Sequence, residues 1–154
     1  MKLHHALFAI AFTAGAVPAS AGGAFDGFGG RWAGQGMIRM TNGQQEKMKC
    51  VATYFPSGSG TKLAMNVRCA SSGFKIDVKG ALQAFDDRIL GTFEERNYEN
   101  RGTVSGTAGG GRIDATVHGD DWLASLAVEG HGTRVVMTPH SGPVKIASFT
   151  FRKD

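Results

Sequence analysis

The sequence predicts an all-β protein: a single antiparallel up-and-down β-barrel of about eight to ten strands with one inter-strand disulfide. Three observations support this fold class. Apolar and polar residues alternate with a period of two, turn residues recur every ~8–12 positions, and no long stretch has helical periodicity. The 23 glycines and only four prolines suit many tight turns between hydrogen-bonded strands.

The N-terminus has the order of residues typical of a secretory signal peptide. A basic head at residues 2–5 precedes an apolar run at 6–17, and Ala19-Ser20-Ala21 follows. We expect cleavage after Ala21 and a released, periplasmic or secreted protein. The apolar run is shorter than the ~20 residues needed to cross a membrane, so no transmembrane segment is expected. We divide the chain into signal peptide 1–21, flexible lead 22–30 and barrel 31–152.

The charge of the chain argues against a nucleic-acid partner. Lysine and arginine together number 17 and acidic residues 13, which gives a formal net charge of +4. These charges are spread along the chain without a long run of one sign. Spread charge of this size favours solubility over nucleic-acid binding. The sequence specifies no protein partner.

The two cysteines predict both a disulfide and a strand register. An even number of cysteines in an exported chain is typical of a structural disulfide, with two free buried thiols as the alternative. Folding two strands about the Pro-Ser-Gly-rich loop at 56–60 sets inward Ala52 opposite inward Val67. The same register sets Cys50 directly opposite Cys69. This cross-link should stabilise the fold by about 3 kcal/mol.

The same procedure predicts the remaining hairpins. The first strand, 31–40, turns through a three-residue loop at 41–43 with Gly43 left-handed. Later turns are placed at 71–72, 86–87, 108–109, 119–120 and 130–131, and a last strand at about 145–152 returns to the first. The predicted facing pairs are Cys69–Phe74, Val67–Ile76, Met65–Val78, Ala84–Ile89, Leu82–Gly91, Phe93–Gly80, Val104–Ile113, Val117–Trp122, Ala115–Ala124 and Leu126–Val135. Phe93 is expected to cover Gly80 where the wall bends.

The start of the first strand resembles that of calycin proteins. Gly30-Arg31-Trp32, together with Arg152 in the last strand, is similar to a pattern of lipocalins, fatty-acid-binding proteins and avidins. In those families a Gly-x-Trp packs at the barrel floor and a late arginine lies across the tryptophan. The resemblance implies a floor of Gly30, Trp32 and Arg152, with the Arg152 cation over the indole. Residues 28–36 also resemble small exported alphaproteobacterial proteins, a resemblance that implies no function.

The predicted interior argues against catalysis. Its inward positions carry no charge, and acid–base or nucleophilic chemistry needs titratable groups gathered in a concave site. We therefore expect no enzyme activity, no catalytic residue and no cofactor.

A metal site is also not expected. His118 and His140 should share one end of the barrel, but they lie roughly 10 Å apart by strand spacing. His131 falls at the opposite end. Ligand bonds of ~2 Å cannot span such distances, so these histidines are interpreted as surface residues near turns.

Two functions remain open. Methionine, tryptophan and small residues share the interior, which could leave room for a ligand or interlock into a dry core. The first hypothesis is a non-catalytic periplasmic barrel that binds a small neutral apolar molecule, with any polar end near Arg96, Tyr98 and Arg101. Its candidate ligand-contacting residues are Trp32, Met48, Tyr54, Met65, Phe93, Trp122 and Met137.

The second hypothesis is a packed barrel that acts in envelope maintenance or protein interaction, through its strand edges and the loop at 94–102. An outer-membrane barrel, in which the alternation is inverted, is disfavoured because Cys50 and Cys69 would face lipid.

Overall fold

Ten antiparallel strands form a closed barrel in the computed structural model, which describes Gly15 and residues 22–154. The predicted cleavage position and most of the signal peptide lie outside the described residues. The strands are β1 (Gly30–Met40), β2 (Gln45–Ser57), β3 (Lys62–Ala70), β4 (Lys75–Phe85), β5 (Arg88–Glu95), β6 (Asn100–Gly109), β7 (Arg112–His118), β8 (Leu123–Glu129), β9 (Arg134–Pro139) and β10 (Val144–Lys153).

Each strand pairs with its neighbours in sequence, and β10 pairs with β1 to close the sheet. This confirms the predicted up-and-down barrel. Within residues 22–154, a single 3₁₀ turn at Gly130–Gly132 interrupts the strand pattern. None of the helical structure among the described residues is long and apolar enough to cross a membrane. We call the end where β1 begins the floor and the opposite end the mouth.

The hairpin between β2 and β3 has the predicted register. Ala52 faces Val67 and Cys50 faces Cys69, and the two cysteines form a disulfide. The pattern of alternation and the cysteine positions therefore identified the same pairing. The other hairpins show how far this agreement extends around the barrel.

The first hairpin and the one between β4 and β5 are also as predicted. Residues 41–43 form the first loop, where Met40 N donates to Gln44 O over 2.8 Å and Gly43 has a φ of 89°. Ala84 faces Ile89, Leu82 faces Gly91 and Gly80 faces Phe93.

The hairpin between β3 and β4 differs from the prediction by two residues. Its loop comprises residues 71–74, in which the Ser71 hydroxyl accepts hydrogen bonds from the Gly73 and Phe74 amides. Cys69 therefore faces Ile76 rather than Phe74, and the other predicted pairs of this hairpin shift with it. Phe74 lies in the loop instead of the interior. The longer turn is favoured because the Ser71 hydroxyl satisfies its backbone donors.

The hairpins from β6 to β9 are shifted as well. The turn between β6 and β7 lies at Gly110 and Gly111, both with positive φ, because glycine adopts this conformation without the strain of a side chain. Val104 consequently faces Val117 rather than Ile113. The predicted pairs of β7 with β8 and of β8 with β9 are each displaced by two residues. Even displacements leave every side chain on its predicted face.

The chain before β1 seals the floor. Residues 22–29, expected as a flexible lead, place Phe25 and Phe28 in the core with essentially no exposed surface. Phe25 N donates to Gly60 O over 2.9 Å, and the Trp32 indole N–H donates to Phe28 O over 2.8 Å. The Phe28 ring meets Phe25 and Tyr54 edge to face, at centroid distances of 6.2 and 6.1 Å. Each buried phenylalanine contributes about 2–3 kcal/mol of hydrophobic free energy.

The cation over the Trp32 ring is Lys153, not the expected Arg152. Its Nζ lies 5.6 Å from the ring centroid. The register pairs Trp32 with Lys153 and Ala33 with Arg152, so Arg152 falls on the outward phase. Gly30 leaves the space that the Lys153 side chain occupies, because a Cβ on residue 30 would stand 2.8 Å from Lys153 Cε.

We expect Phe28→Ala to lower the free energy of unfolding by about 3–5 kcal/mol, because it opens a cavity beneath Trp32 and Tyr54. Urea denaturation followed by circular dichroism measures this loss. Phe55→Ala is the matched control, since Phe55 is 57% exposed, and should change stability by less than about 0.5 kcal/mol. Similar losses in both variants would show that the N-terminal segment does not hold the floor.

Candidate ligand-binding site

Large inward side chains lie over glycines of the next strand. Phe149, Phe151, Met65, Leu82 and Phe93 approach Gly36, Gly34, Gly80, Gly91 and Gly102, respectively, so closely that a Cβ on each glycine would stand 3.0 Å or less from them. The small inward residues therefore leave no voids, because side chains of neighbouring strands pack over them. Phe93 covers Gly102 rather than its predicted partner Gly80, because its ring leans toward β6 instead of β4.

The buried core extends through both halves of the barrel, and most of the partly buried apolar side chains lie in the mouth half. Residues at the floor are packed, among them Trp32, Leu63, Ile89 and Phe151. The apolar side chains that are only partly buried are Ala24 and Val135 near the floor, and Met40, Met65, Val67, Ile76, Phe93, Trp122, Leu126, Met137, Val144 and Phe149. The core thus continues into an apolar lining that stays partly exposed in the mouth half.

The predicted ligand-contacting residues separate into two groups. Trp32, Met48 and Tyr54 lie in the packed core. Burial raises the pKa of the Tyr54 phenol to about 12, so this hydroxyl is protonated at neutral pH. Met65, Phe93, Trp122 and Met137 belong instead to the partly exposed lining. That they contact a ligand stays a prediction.

An aromatic pair lies in the mouth half of this lining. The rings of Phe93 and Trp122 lie 5.8 Å apart at a tilt of 55°. The Trp122 indole rests against Gly119, where a Cβ would stand 2.1 Å from Nε1. A recess of about 310 Å³ opens at the rim beside this indole, lined by Gly119, Asp120, Asp121, Trp122, Leu123, His140 and Ser141.

Two glutamates occupy inward-phase positions near the mouth, contrary to the expectation of an uncharged interior. Glu46 precedes Met48 in β2 and faces Ile38, and Glu95 follows Phe93 in β5. Extending the alternation of each strand by one step would have identified both. Glu95 is only 8% exposed.

Both glutamates accept hydrogen bonds from mouth loops. The Glu95 carboxylate accepts the backbone N–H groups of Asp77, Asn97 and Tyr98 over 3.0, 3.1 and 2.7 Å. Glu46 Oε1 accepts the Gly73 N–H over 3.2 Å. Each carboxylate therefore holds one loop against the rim, and backbone donors that would otherwise need water are satisfied.

The hydrogen bonds at Glu46 lower its pKa below the ordinary value of 4.5. The Ser71 hydroxyl is the main cause, with the Gly73 amide next, and together they outweigh the effect of burial. Because the pKa is lower in the folded protein, this carboxylate stabilises the loop fully above 4.5. The stabilisation is lost as the pH falls through the lower folded value.

We expect the Gly73 amide resonance to shift as the pH is lowered below 4.5, when Glu46 is protonated and releases the loop at residues 71–74. An NMR titration of Gly73 measures this. In Glu46→Gln the resonance should no longer titrate, whereas Glu129→Gln, which removes a distant carboxyl, should leave the titration unchanged. A Gly73 titration that persists in Glu46→Gln would contradict the assignment.

The three histidines of the barrel lie apart. His131 packs at the floor, with its ring centroid 6.0 Å from that of Phe28, and His118 lies on the outward face of β7. His140 Nε2 lies 2.9 Å from Ser125 Oγ at the mouth. Among the described residues, no group of three histidine, cysteine or acidic side chains could hold a metal ion.

A second recess, of about 380 Å³, lies on the outer wall over β6 to β9. Its polar lining is a row of hydroxyls on four neighbouring strands, from Ser105 through Thr116 and Ser125 to Thr138. Asp114 at its edge is bound by Arg112, and this pairing lowers the pKa of the Asp114 carboxyl. The recess lacks an aromatic side chain, unlike the one at the rim.

No family model and no curated protein matches the chain. Among solved structures, an S-type phycobiliprotein lyase from Guillardia theta matches with a TM-score of 0.57 and 10% sequence identity. The match covers 82% of this chain and 88% of that chain. At this identity the likeness shows the fold alone. It supports the antiparallel barrel architecture that the sequence predicted.

The same comparison corrects the expectation that the protein is not an enzyme. The matching structure is named a lyase, so a barrel of this architecture does not exclude catalysis. The premise of that expectation also fails, because Glu46 and Glu95 occupy inward-phase positions. Excluding enzyme activity from an apolar interior was wrong.

Proposed function

We propose that the mature protein is an exported barrel that binds a small, largely apolar molecule at its mouth. The observation that carries this proposal is the partly exposed apolar lining above a packed and sealed floor. The secretory pattern at residues 2–21 and the Cys50–Cys69 disulfide support export to an oxidising compartment.

The ligand enters from the mouth, because Phe25 and Phe28 close the opposite end. Three methionines, Met40, Met65 and Met137, lie along the partly buried lining. Their unbranched side chains can change rotamer to fit an irregular apolar surface. A guest can therefore be admitted by rearrangement near the mouth while the floor stays packed.

The aromatic pair supplies a rigid contact for the ligand. Phe93 and Trp122 bring two large apolar surfaces together, and neither side chain is fully buried. Aromatic side chains contribute much binding area with little loss of conformational entropy. We place the apolar part of the ligand against these two rings.

A polar end of the ligand would lie at the rim. The Glu95 carboxylate is engaged by three backbone amides and is not free to meet a ligand. The recess beside Trp122 instead offers His140, Ser141 and two aspartates. Tyr98, with half of its surface exposed, offers a hydroxyl on the neighbouring side of the mouth.

We expect the neutral fluorophore N-phenyl-1-naphthylamine to bind, with Trp122→Ala weakening its affinity about tenfold through the loss of apolar contact. Fluorescence titration of the probe measures this. In Trp32→Phe, Trp122 is the remaining tryptophan, so energy transfer from it to the probe reports their proximity. Phe85→Ala, which removes an exposed aromatic ring near the floor, is the control and should leave the affinity unchanged.

Absence of probe binding, or equal weakening by Trp122→Ala and Phe85→Ala, would contradict the proposal. Unfolding curves of each variant show whether a loss of binding reflects a loss of fold.

A packed barrel that serves protein interaction is the second candidate. It is supported by the interlocking of large side chains with glycines, which fills much of the interior. Native mass spectrometry after mild extraction separates the two: a bound small-molecule mass supports the first, and a bare chain together with failed probe binding supports the second.

A further inference from the structure

We propose that one side of the mouth docks on an anionic lipid surface, from which the barrel takes or to which it delivers its apolar ligand. This inference rests on the proposed function, since it names the source of the ligand. The docking surface, which we call the basic rim, consists of Arg39, Lys47, Lys49, Phe74, Lys75 and Lys145.

The basic rim forms one arc of the barrel. Its cations come from the mouth ends of β10, β1, β2 and β4, and β3 lies between β2 and β4 in the closed sheet. All of these cationic side chains are exposed. Positive charges are therefore concentrated on one side of the mouth although the net charge of the chain is small.

These cations are not neutralised within the protein. None of the five makes an ion pair with any residue that the structure describes, whereas Arg31, Arg112 and Arg134 at the floor are each paired. Two acids lie on the arc: Glu46, which accepts hydrogen bonds from the Gly73 amide and the Ser72 hydroxyl, and Asp77, which pairs with Arg68 and Arg96. The charge of the arc is thus available to a partner.

An exposed aromatic side chain lies on this arc, between the lysines of β2 and Lys75 of β4. Phe74 lies in the loop between β3 and β4 and is 39% exposed. The Glu46 carboxylate holds that loop through Gly73, so the ring is presented at a defined place beside Lys75. Exposed aromatic rings next to lysine and arginine are typical of surfaces that lie in a lipid headgroup region.

The other side of the mouth differs in charge. Asp120 and Asp121 lie in its rim recess, and Arg96 there lies 3.7 Å from the Asp77 carboxylate. Glu94 and Glu99 lie on the same side, near Tyr98, together with the cation Arg101 opposite Glu94. An anionic surface would attract the basic rim more strongly than this side of mixed charge, so the barrel should dock tilted.

The electrostatic attraction that would cause docking acts over a short range. An anionic leaflet attracts each nearby basic residue by about 1 kcal/mol, within a Debye length of ~8–10 Å. The same orientation turns the partly exposed lining toward the lipid. An apolar ligand can then pass between membrane and barrel with little exposure to water.

Vesicle flotation tests the proposal with the mature barrel, using vesicles of phosphatidylcholine alone or mixed in equal parts with phosphatidylglycerol. We expect binding only to the anionic vesicles, and its loss at high salt. The double variant Lys47→Gln, Lys75→Gln should weaken the partition about thirtyfold. Its matched control, Lys62→Gln with Arg88→Gln, removes the same charge at the floor end and should have little effect.

The contribution of the aromatic ring is tested separately. Phe74→Ser should weaken binding to anionic vesicles several-fold, whereas Phe85→Ser, a change of an exposed phenylalanine at the floor end, should not.

Two results would overturn the proposal: equal binding to neutral and anionic vesicles, or equal weakening by the rim and floor double variants. N-phenyl-1-naphthylamine binding distinguishes this proposal from the proposed function. Rim variants should bind the probe normally. If the barrel docks on vesicles but does not bind the probe, the docking proposal stands and the proposed ligand-binding function is refuted.

Discussion

The barrel closes where β10 hydrogen-bonds to β1, and this contact depends on two glycines. A Cβ on Gly34 or Gly36 would stand 2.2 or 2.5 Å from a carbonyl oxygen of β10, and would also meet the rings of Phe151 and Phe149. Without closure, both strands would present unpaired edges. Closure also brings Lys153 over Trp32 at the floor and places Lys145 beside Arg39 at the mouth.

The two ends of the closed sheet are built by different interactions. At the floor, the chain before β1 supplies Phe25 and Phe28, so the end is sealed by apolar contact. At the mouth, Glu46 and Glu95 hold loops through backbone hydrogen bonds. Carboxylates position these loops without filling the opening. The barrel therefore has a packed floor and an apolar lining that remains partly accessible from the mouth.

Charged side chains enter the inward phase of the barrel at the strand ends, where an uncharged interior was expected. The inward alternation extends one step beyond Met48 and Phe93, to Glu46 opposite Ile38 and Glu95 opposite Val78. The likeness to a structure named a lyase means that this fold does not by itself exclude catalysis, and in this chain the inward-phase carboxylates lie at the mouth. At the mouth, the conformation of the loops determines which polar groups form hydrogen bonds within the protein and which can meet a ligand.

The sequence by itself determined the barrel, the inward and outward faces and the Cys50–Cys69 pairing, because side-chain alternation has a period of two and depends only on neighbouring residues. It did not determine register in four hairpins, since turns that differ by two residues conserve the same faces. Tertiary structure alone decided that Lys153 rather than Arg152 covers Trp32, that Phe28 seals the floor and that Phe74 lies at the rim. Each of these depends on strand register or on contacts between residues distant in the chain, for which local pattern carries no signal.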